Sequence, residues 1–130
     1  ILASGANFVI RGLDLDLGKA EEPYENGKPL PPRFHVKVEK GKAFTLCAQG
    51  MIMPRGGKET PGEPDCGAWL FDDAVCKIMA HDPKQADKTK VVIRLQPNVV
   101  GKTRVRFVGE ILGYAQTYDV MLEVTPAQPK

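Results

Sequence analysis

Serine is almost absent from this chain, and its scarcity argues against a large class of enzymes. The only serine is Ser4, in a segment that we expect to lie at the periphery of the fold. A Ser-His-Asp triad needs a serine that is held rigidly against a histidine. A P-loop and a dinucleotide-binding motif are also missing, because the glycines of PRGGKETPG have neither the spacing nor the following helix. The sequence therefore predicts a protein that is not an enzyme.

Long apolar runs and a strong net charge are missing as well. No apolar run approaches the roughly 18 residues that a membrane span needs. The net charge of +2 is too small to indicate nucleic acid, and no aromatic residues interleave with the basic ones to form a base-stacking surface. We expect neither membrane insertion nor nucleic acid. We expect a protein partner, and the oligomeric state stays open.

Alternation of apolar and polar residues is the dominant pattern, and no segment predicts an amphipathic helix of three turns. In LDLDL, Leu13, Leu15 and Leu17 alternate with aspartates and predict a half-buried strand. About eight short strands separated by turns predict an all-β, two-sheet antiparallel Greek-key sandwich, with a small β-barrel as the alternative. The expected core residues are Val36, Val38, Phe44, Leu46, Trp69, Val105, Phe107, Val120, Leu122 and Val124.

The segment VKVEKGKAFTLCAQG is similar to the second-strand region of immunoglobulin-like domains, in which a glycine turn precedes an alternating strand that ends in a core cysteine. Trp69 would take the place of the core tryptophan on the next strand. The resemblance implies a sandwich. The later segment TRVRFVG lacks the partner cysteine and the corner tyrosine, so no disulfide from Cys47 to that strand and no functional residue is carried over.

The length of the chain predicts one domain at 1–125, followed by a tail or linker at 126–130. The first residue is Ile1 and not methionine. We therefore expect a processed chain or a segment excised from a larger protein.

All three cysteines, Cys47, Cys66 and Cys76, lie in one third of the chain. A disulfide between Cys66 and Cys76 would close CGAWLFDDAVC into a hairpin around Trp69 and contribute about 2 to 3 kcal/mol. Cys47 would then be a buried free thiol. A bond between Cys47 and Cys66 is the competing possibility, because the sequence does not fix the connectivity. A disulfide implies an oxidising compartment, and we therefore predict a secreted or periplasmic protein.

A soft-ligand metal site is the main chemical alternative. Sulfur and imidazole side chains of the type that binds copper(I) or zinc come from Cys47, Met51, Met53, Met79 and His81, with Cys66 and Cys76 nearby. No C-x-x-C pair occurs, and the cysteine separations match no recurring zinc spacing. Methionine in a sandwich is more often core filling. We therefore predict no metal and no cofactor.

A rigid sandwich with long loops and no catalytic group predicts a non-catalytic binding module that acts through its loops. In the loop Gly50 to Gly67, an apolar contact could form from Met51, Ile52 and Met53, ringed by Arg55 and Lys58, with Trp69 close by. These methionines could instead fold back over an open end of the sandwich. A structural subunit of a larger assembly is a further alternative.

Overall fold

Strands alone, without any helix, form the regular structure of the described residues. The structure is a computed structural model that describes residues 3–54, 56–63, 65–71, 73–81 and 89–128. In chain order the strands are β1 (Ala3–Gly12), β2 (Tyr24–Glu25), β3 (Lys28–Pro29), β4 (Arg33–Glu39), β5 (Phe44–Pro54), β6 (Thr60–Pro61), β7 (Asp65–Leu70), β8 (Cys76–His81), β9 (Lys90–Pro97), β10 (Gly101–Ile111) and β11 (Tyr114–Thr125).

Two main sheets contain most of these strands. The first sheet has the order β1-β5-β9-β8, with β6 paired to one part of β5, and the second has the order β4-β11-β10-β7. Neighbouring strands are antiparallel except β4 and β11, which run parallel from the pair Arg33 and Asp119 to the pair Glu39 and Thr125. In the described part of the chain neither sheet closes on itself. The all-β sandwich is therefore confirmed, and the alternative of a small barrel is wrong.

The strand order resembles that of immunoglobulin-like sandwiches, in which A, B, E and D form one sheet and C, F and G the other, except that β4 is added to the second sheet beside β11. In that comparison β5 takes the place of strand B and β7 that of strand C. The likeness is one of architecture. The parallel pairing of β4 with the last strand, β11, is a feature that the sequence pattern did not predict.

The apolar core is built from residues of both sheets, because alternate residues of each strand face the opposite sheet. The predicted core is confirmed at Val38, Phe44, Leu46, Val105, Phe107, Val120, Leu122 and Val124, which are all buried. Val36 is partly buried and packs against this core. Trp69 is the exception, since it lies on the surface.

The glycine turn between β4 and β5 does not form a hairpin, because the two strands belong to different sheets. Lys40 donates its backbone N–H to the carbonyl of Thr125 in the second sheet, at 2.9 Å. Gly41 donates to the carbonyl of Pro97 in the first sheet, also at 2.9 Å. Gly41 has a φ of +85°, a conformation that glycine adopts without strain. The turn therefore connects the two sheets through hydrogen bonds to the ends of β11 and β9.

The predicted strand over LDLDL is wrong, because β1 ends at Gly12 and the chain bends immediately afterwards. A Cβ at Gly12 would clash with the carbonyl oxygen of Leu15, so the bend needs glycine. The carboxylate of Asp14 accepts a hydrogen bond from the backbone N–H of Thr45 at 2.9 Å. In a continued strand, a backbone carbonyl would accept this bond. Leu13 is consequently exposed, whereas Leu17 reaches the core.

The predicted hairpin around Trp69 is also wrong. β7 pairs with β10 in the second sheet, whereas β8 pairs with β9 in the first. The chain from Cys47 to His81 therefore crosses from the first sheet to the second and back. Cys76 is a free and fully buried thiol, so the predicted disulfide between Cys66 and Cys76 is not formed. Cys47 is buried and free, as predicted, although it lies on the opposite face of β5 from Leu46.

Candidate interaction surface

Two exposed aromatic rings and two arginines lie together on the outer face of the second sheet. We call this the aromatic–arginine surface and define it by Trp69, Phe71, Arg104 and Arg106. Trp69 is 55% exposed and Phe71 is 52% exposed. Both come from β7 and the residue that follows it, two positions apart, and therefore from one face of the chain. Arg106 lies directly opposite Trp69 on β10.

The position of Trp69 follows from its two neighbours in the chain. Ala68 and Leu70 pack against the core, opposite Phe107 and Val105. Because successive side chains of a strand point to opposite faces, Trp69 must point outward. A Cβ at Gly67 would lie 3.2 Å from Cη2 of the indole, so the ring covers this glycine. The indole therefore lies along the sheet surface and presents an open face.

The arginines hold the second ring in place. The guanidinium carbon of Arg104 lies 4.0 Å from the centre of the Phe71 ring, and that of Arg106 lies 5.4 Å from it. Cation–π contacts of this kind contribute about 0.5 to 1 kcal/mol at an exposed site. The stacking also places positive charge above the end of β7.

A single buried carboxylate orients both arginines. Arg106 donates to the two oxygens of Asp119, from Nε at 2.8 Å and from Nη2 at 3.0 Å. Arg104 places Nη1 at 3.6 Å from the same carboxylate, and Asp119 as a whole is 4% exposed. The hydrogen bond to Asp119 raises the pKa of Arg106 above its ordinary value. Two positive charges share one negative charge, so the surface has a net positive charge.

The methionines predicted to form a binding loop lie on a strand of the first sheet and not on the aromatic–arginine surface. Met51, Ile52 and Met53 belong to β5, which runs to Pro54 and pairs here with β1 and β6. Ile52 packs against the core, Met51 is half-buried, and Met53 is 38% exposed. Lys58 is exposed in the connection between β5 and β6, and Arg55 lies outside the described residues. Of the predicted binding residues that the structure describes, only Trp69 belongs to the aromatic–arginine surface.

Of the residues considered as metal ligands, Cys47, Met51, Met53 and Met79 lie at separate places in the first sheet. The strand order separates Cys47 on β5 from Met79 on β8 by the whole of β9. Met51 and Met53 lie further along β5, and the backbone of His81 is paired opposite Ile93. In the described ranges no three His, Cys, Asp or Glu side chains are close enough to bind one metal ion. Burial raises the pKa of the Cys76 thiol to about 11, which keeps it protonated at neutral pH.

A second depression on the same sheet face lies beside β4 and is lined by His35, Lys37, Lys102, Met121 and Glu123 among others. Its charges face one another: Lys37 and Lys102 lie 3.7 and 3.8 Å from the carboxylate of Glu123. Two lysines share one glutamate here, which is the same excess of positive charge as at the aromatic–arginine surface, but no phenylalanine, tyrosine or tryptophan among the described residues lines the depression.

Sequence comparison identifies no relative of this chain: no family model matches it, and no curated protein does. No helix long and apolar enough to cross a membrane occurs in the described residues.

Comparison of folds does find solved structures. The structure of domains 1-6 of the surface layer protein SbsC covers 73% of this chain, with a TM-score of 0.55 and 12% identity, and this chain spans 12% of its length. The crystal structure of domains 4 and 5 of the S-layer protein SbsC covers 91% of this chain, with a TM-score of 0.52 and 9% identity, and this chain spans 76% of it. At such low identity the likeness concerns the fold alone.

Proposed function

We propose that this chain is a non-catalytic β-sandwich module of an extracellular or cell-surface protein, and that it works by binding another protein. The observation that carries the proposal is the aromatic–arginine surface. Tryptophan and arginine are enriched among the residues that dominate protein–protein binding energy. An exposed indole beside a second exposed ring and two guanidinium groups has the composition of such a contact.

The rigidity of this surface supports the same proposal. Trp69 and Arg106 belong to paired strands of one sheet, and Asp119 fixes Arg106 through two hydrogen bonds. Side chains that are already ordered lose little conformational freedom when a partner binds. The entropic cost of ordering this surface on binding is therefore small.

The likeness of fold supports the location. The two solved structures are named as parts of a surface-layer protein, and the name indicates a structural role at the cell surface. We extend that role to this chain as a proposal, which includes assembly with other protein subunits. The periplasm is the alternative location for such a protein-binding module.

Site-specific photo-crosslinking in living cells tests the proposal. The natural protein is expressed with the photoreactive residue p-benzoylphenylalanine at position 69 or, as a control, at Val9. Val9 is 44% exposed on β1 of the first sheet, so the control position is similarly accessible. We expect a crosslinked protein product from position 69 and little from position 9. No product at position 69, or equal products at both, would contradict the proposal.

A surface-labelling experiment tests the location separately. An antiserum against the purified chain should label intact cells, and external protease should remove the label. Labelling only after permeabilisation of the outer envelope would favour the periplasm.

A further inference from the structure

The edges of the two sheets carry an inference about the kind of partner. In the described strand order, β1 and β8 are the edges of the first sheet, and β4 and β7 are those of the second. An edge strand presents main-chain N–H and C=O groups to a new strand, and soluble proteins protect such edges with charges, bulges or a covering segment.

The edges of the first sheet have such protection. The pairing of β1 with β5 shifts register between Ala3 and Gly5. The pairing of β8 with β9 shifts between Ile78 and Ala80, and Lys77 adds a charge to this strand. Irregular pairing twists an edge away from the flat geometry that a new strand needs.

The β4 edge of the second sheet is protected too. Arg33, His35 and Lys37 lie at alternate positions of β4. Arg33 also forms an antiparallel bridge with Glu21, from a segment that passes beside the start of the strand. The carboxylate of Glu21 lies 2.6 Å from the Arg33 guanidinium, which fastens this segment.

The β7 edge differs. The only charged residue of β7 is Asp65 at its start, the stretch 67–70 contains no charge and no proline, and the register of β7 with β10 is continuous from Asp65 to Leu70. Phe71 donates its N–H to the carbonyl of Arg104 at 3.0 Å. Because hydrogen-bonded pairs alternate along an antiparallel ladder, the N–H and C=O groups of Ala68 and Leu70 face away from β10. No described strand pairs with that side of β7.

We propose that β7 accepts an extended acidic segment of a partner protein as an additional strand. The inference rests on the proposed function and names the partner of the same surface. Main-chain hydrogen bonds to Ala68 and Leu70 would supply affinity, and side chains of the added strand on the outer face would lie beside Trp69 and Phe71.

The charges select an acidic segment. Arg104 stacks over Phe71, so its guanidinium lies above the strand at the sheet edge and next to the position of an added strand. Asp119 engages two guanidinium groups, of which only that of Arg106 makes close hydrogen bonds with it. A carboxylate from the partner would complete the hydrogen bonding of Arg104 and balance the positive charge of the surface.

Peptide selection tests the inference and does not require that the partner be identified first. A library of random peptides displayed on phage is panned against the purified chain, and the enriched peptides are synthesised for fluorescence-polarisation titration. We expect enriched peptides in which β-branched or aromatic residues alternate with Asp or Glu.

Two variants separate main-chain pairing from charge. Ala68→Pro removes an N–H that faces away from β10, and proline is tolerated at such an edge position. Arg104→Glu reverses the selecting charge. We expect each to weaken peptide binding at least tenfold, and Met79→Lys, on the exposed face of the β8 edge, to leave it unchanged. If Ala68→Pro does not fold by circular dichroism, Trp69→Lys replaces it, because a lysine on an edge strand blocks pairing.

Three results would overturn the inference: no enriched peptide, enriched peptides that bind Ala68→Pro as tightly as the unchanged chain, or binding of the polyanionic polysaccharide polygalacturonate with no peptide binding. A dimer in sedimentation equilibrium that Ala68→Pro abolishes would also overturn it, since a second copy would then occupy the edge. A crosslinked partner at position 69 without peptide binding rejects the added strand and leaves the proposed function intact. Failure of the crosslink rejects the proposed function itself.

Discussion

Arg106 and Asp119 join β10 to β11 through a two-point contact on the outer face of the second sheet. Nε and Nη2 of the arginine lie 2.8 and 3.0 Å from the two carboxylate oxygens. Alternation along β11 places Asp119 on the outer face, where a carboxylate is ordinarily solvated, but the two arginines cover it almost completely. An outer sheet face that is ordinarily solvated therefore contains a charge shielded from water. Removal of this charge should lower the free energy of unfolding.

Replacement of the shielded carboxylate should destabilise the fold. Asp119→Ala should lower the free energy of unfolding by about 2 kcal/mol, because Arg106 loses two charge-assisted hydrogen bonds. Glu123→Ala is the matched control on the same strand, since its ion pairs are exposed and longer, and it should cost less than about 1 kcal/mol. Urea denaturation measures both, and equal losses would contradict the special role of Asp119.

The exposure of Trp69 can be measured directly, because it is the only tryptophan. Its fluorescence in the native protein should be quenched by small solutes nearly as well as in the unfolded chain. Iodide should quench it more than caesium does, since Arg104 and Arg106 concentrate anions at this surface. The double variant Arg104→Gln with Arg106→Gln should reduce that difference. A native tryptophan that neither ion quenches would place the indole in the core.

The buried thiol of Cys76 predicts a dependence of stability on pH. Burial raises its pKa from 9.0 to about 11, so between these values the unfolded chain loses the proton while the folded chain keeps it. The free energy of unfolding should therefore fall as the pH rises, by about 1 kcal/mol between pH 8 and pH 10.

Urea denaturation at the two pH values, compared with Cys76→Ala, isolates this contribution. The variant should lose about 1 kcal/mol less over the same interval. The comparison ends at pH 10 because burial also raises the pKa of Tyr118, with a smaller contribution from Glu22, and this phenol would add a second effect at higher pH. Identical pH dependence in both proteins would show that the Cys76 thiol does not titrate as proposed.

The turn between β10 and β11 contains a strained residue, Leu112, whose replacement should stabilise the fold. Leu112 and Gly113 both have positive φ, +51° and +83°, as a two-residue type I′ turn requires. Leucine is strained in this conformation and asparagine is not, so Leu112→Asn should raise the free energy of unfolding by about 1 kcal/mol. Leu112→Ala is the control, because it removes the exposed side chain and keeps the strain. Equal stabilisation by alanine would attribute the effect to exposure.

The sequence predicted burial correctly where the alternation within a single strand is sufficient. Alternation within a strand predicts which side chains are buried, whichever strands it pairs with. The structure confirms this for Val120, Leu122, Val124, Val105 and Phe107, which are all buried. The absence of helix from the described residues follows from the same alternation. Strand pairing depends instead on contacts between distant residues, such as Gly41 with Pro97, that no local pattern contains.

The candidate site shows where local patterns fail. Trp69 was expected in the core because it would take the place of the core tryptophan of immunoglobulin-like domains, yet the smaller Ala68 and Leu70 have the inward positions of β7. Phe71, Arg104 and Arg106 were not singled out, because their association depends on the pairing of β7 with β10. The alternation in TRVRFVG is one signal that could have found the arginines, since it places Arg104 and Arg106 on the face opposite Val105 and Phe107.

The parallel pairing of β4 with β11 has a mechanical consequence. A tension that reaches β4 through Pro32 and β11 through Pro126 pulls the two strands in opposite directions along their length. The ladder from Arg33 and Asp119 to Glu39 and Thr125 is then loaded in shear, so its hydrogen bonds must break together and not one after another. A sandwich joined in this way resists a pull between Pro32 and Pro126, a property that the proposed assembly with other protein subunits would use.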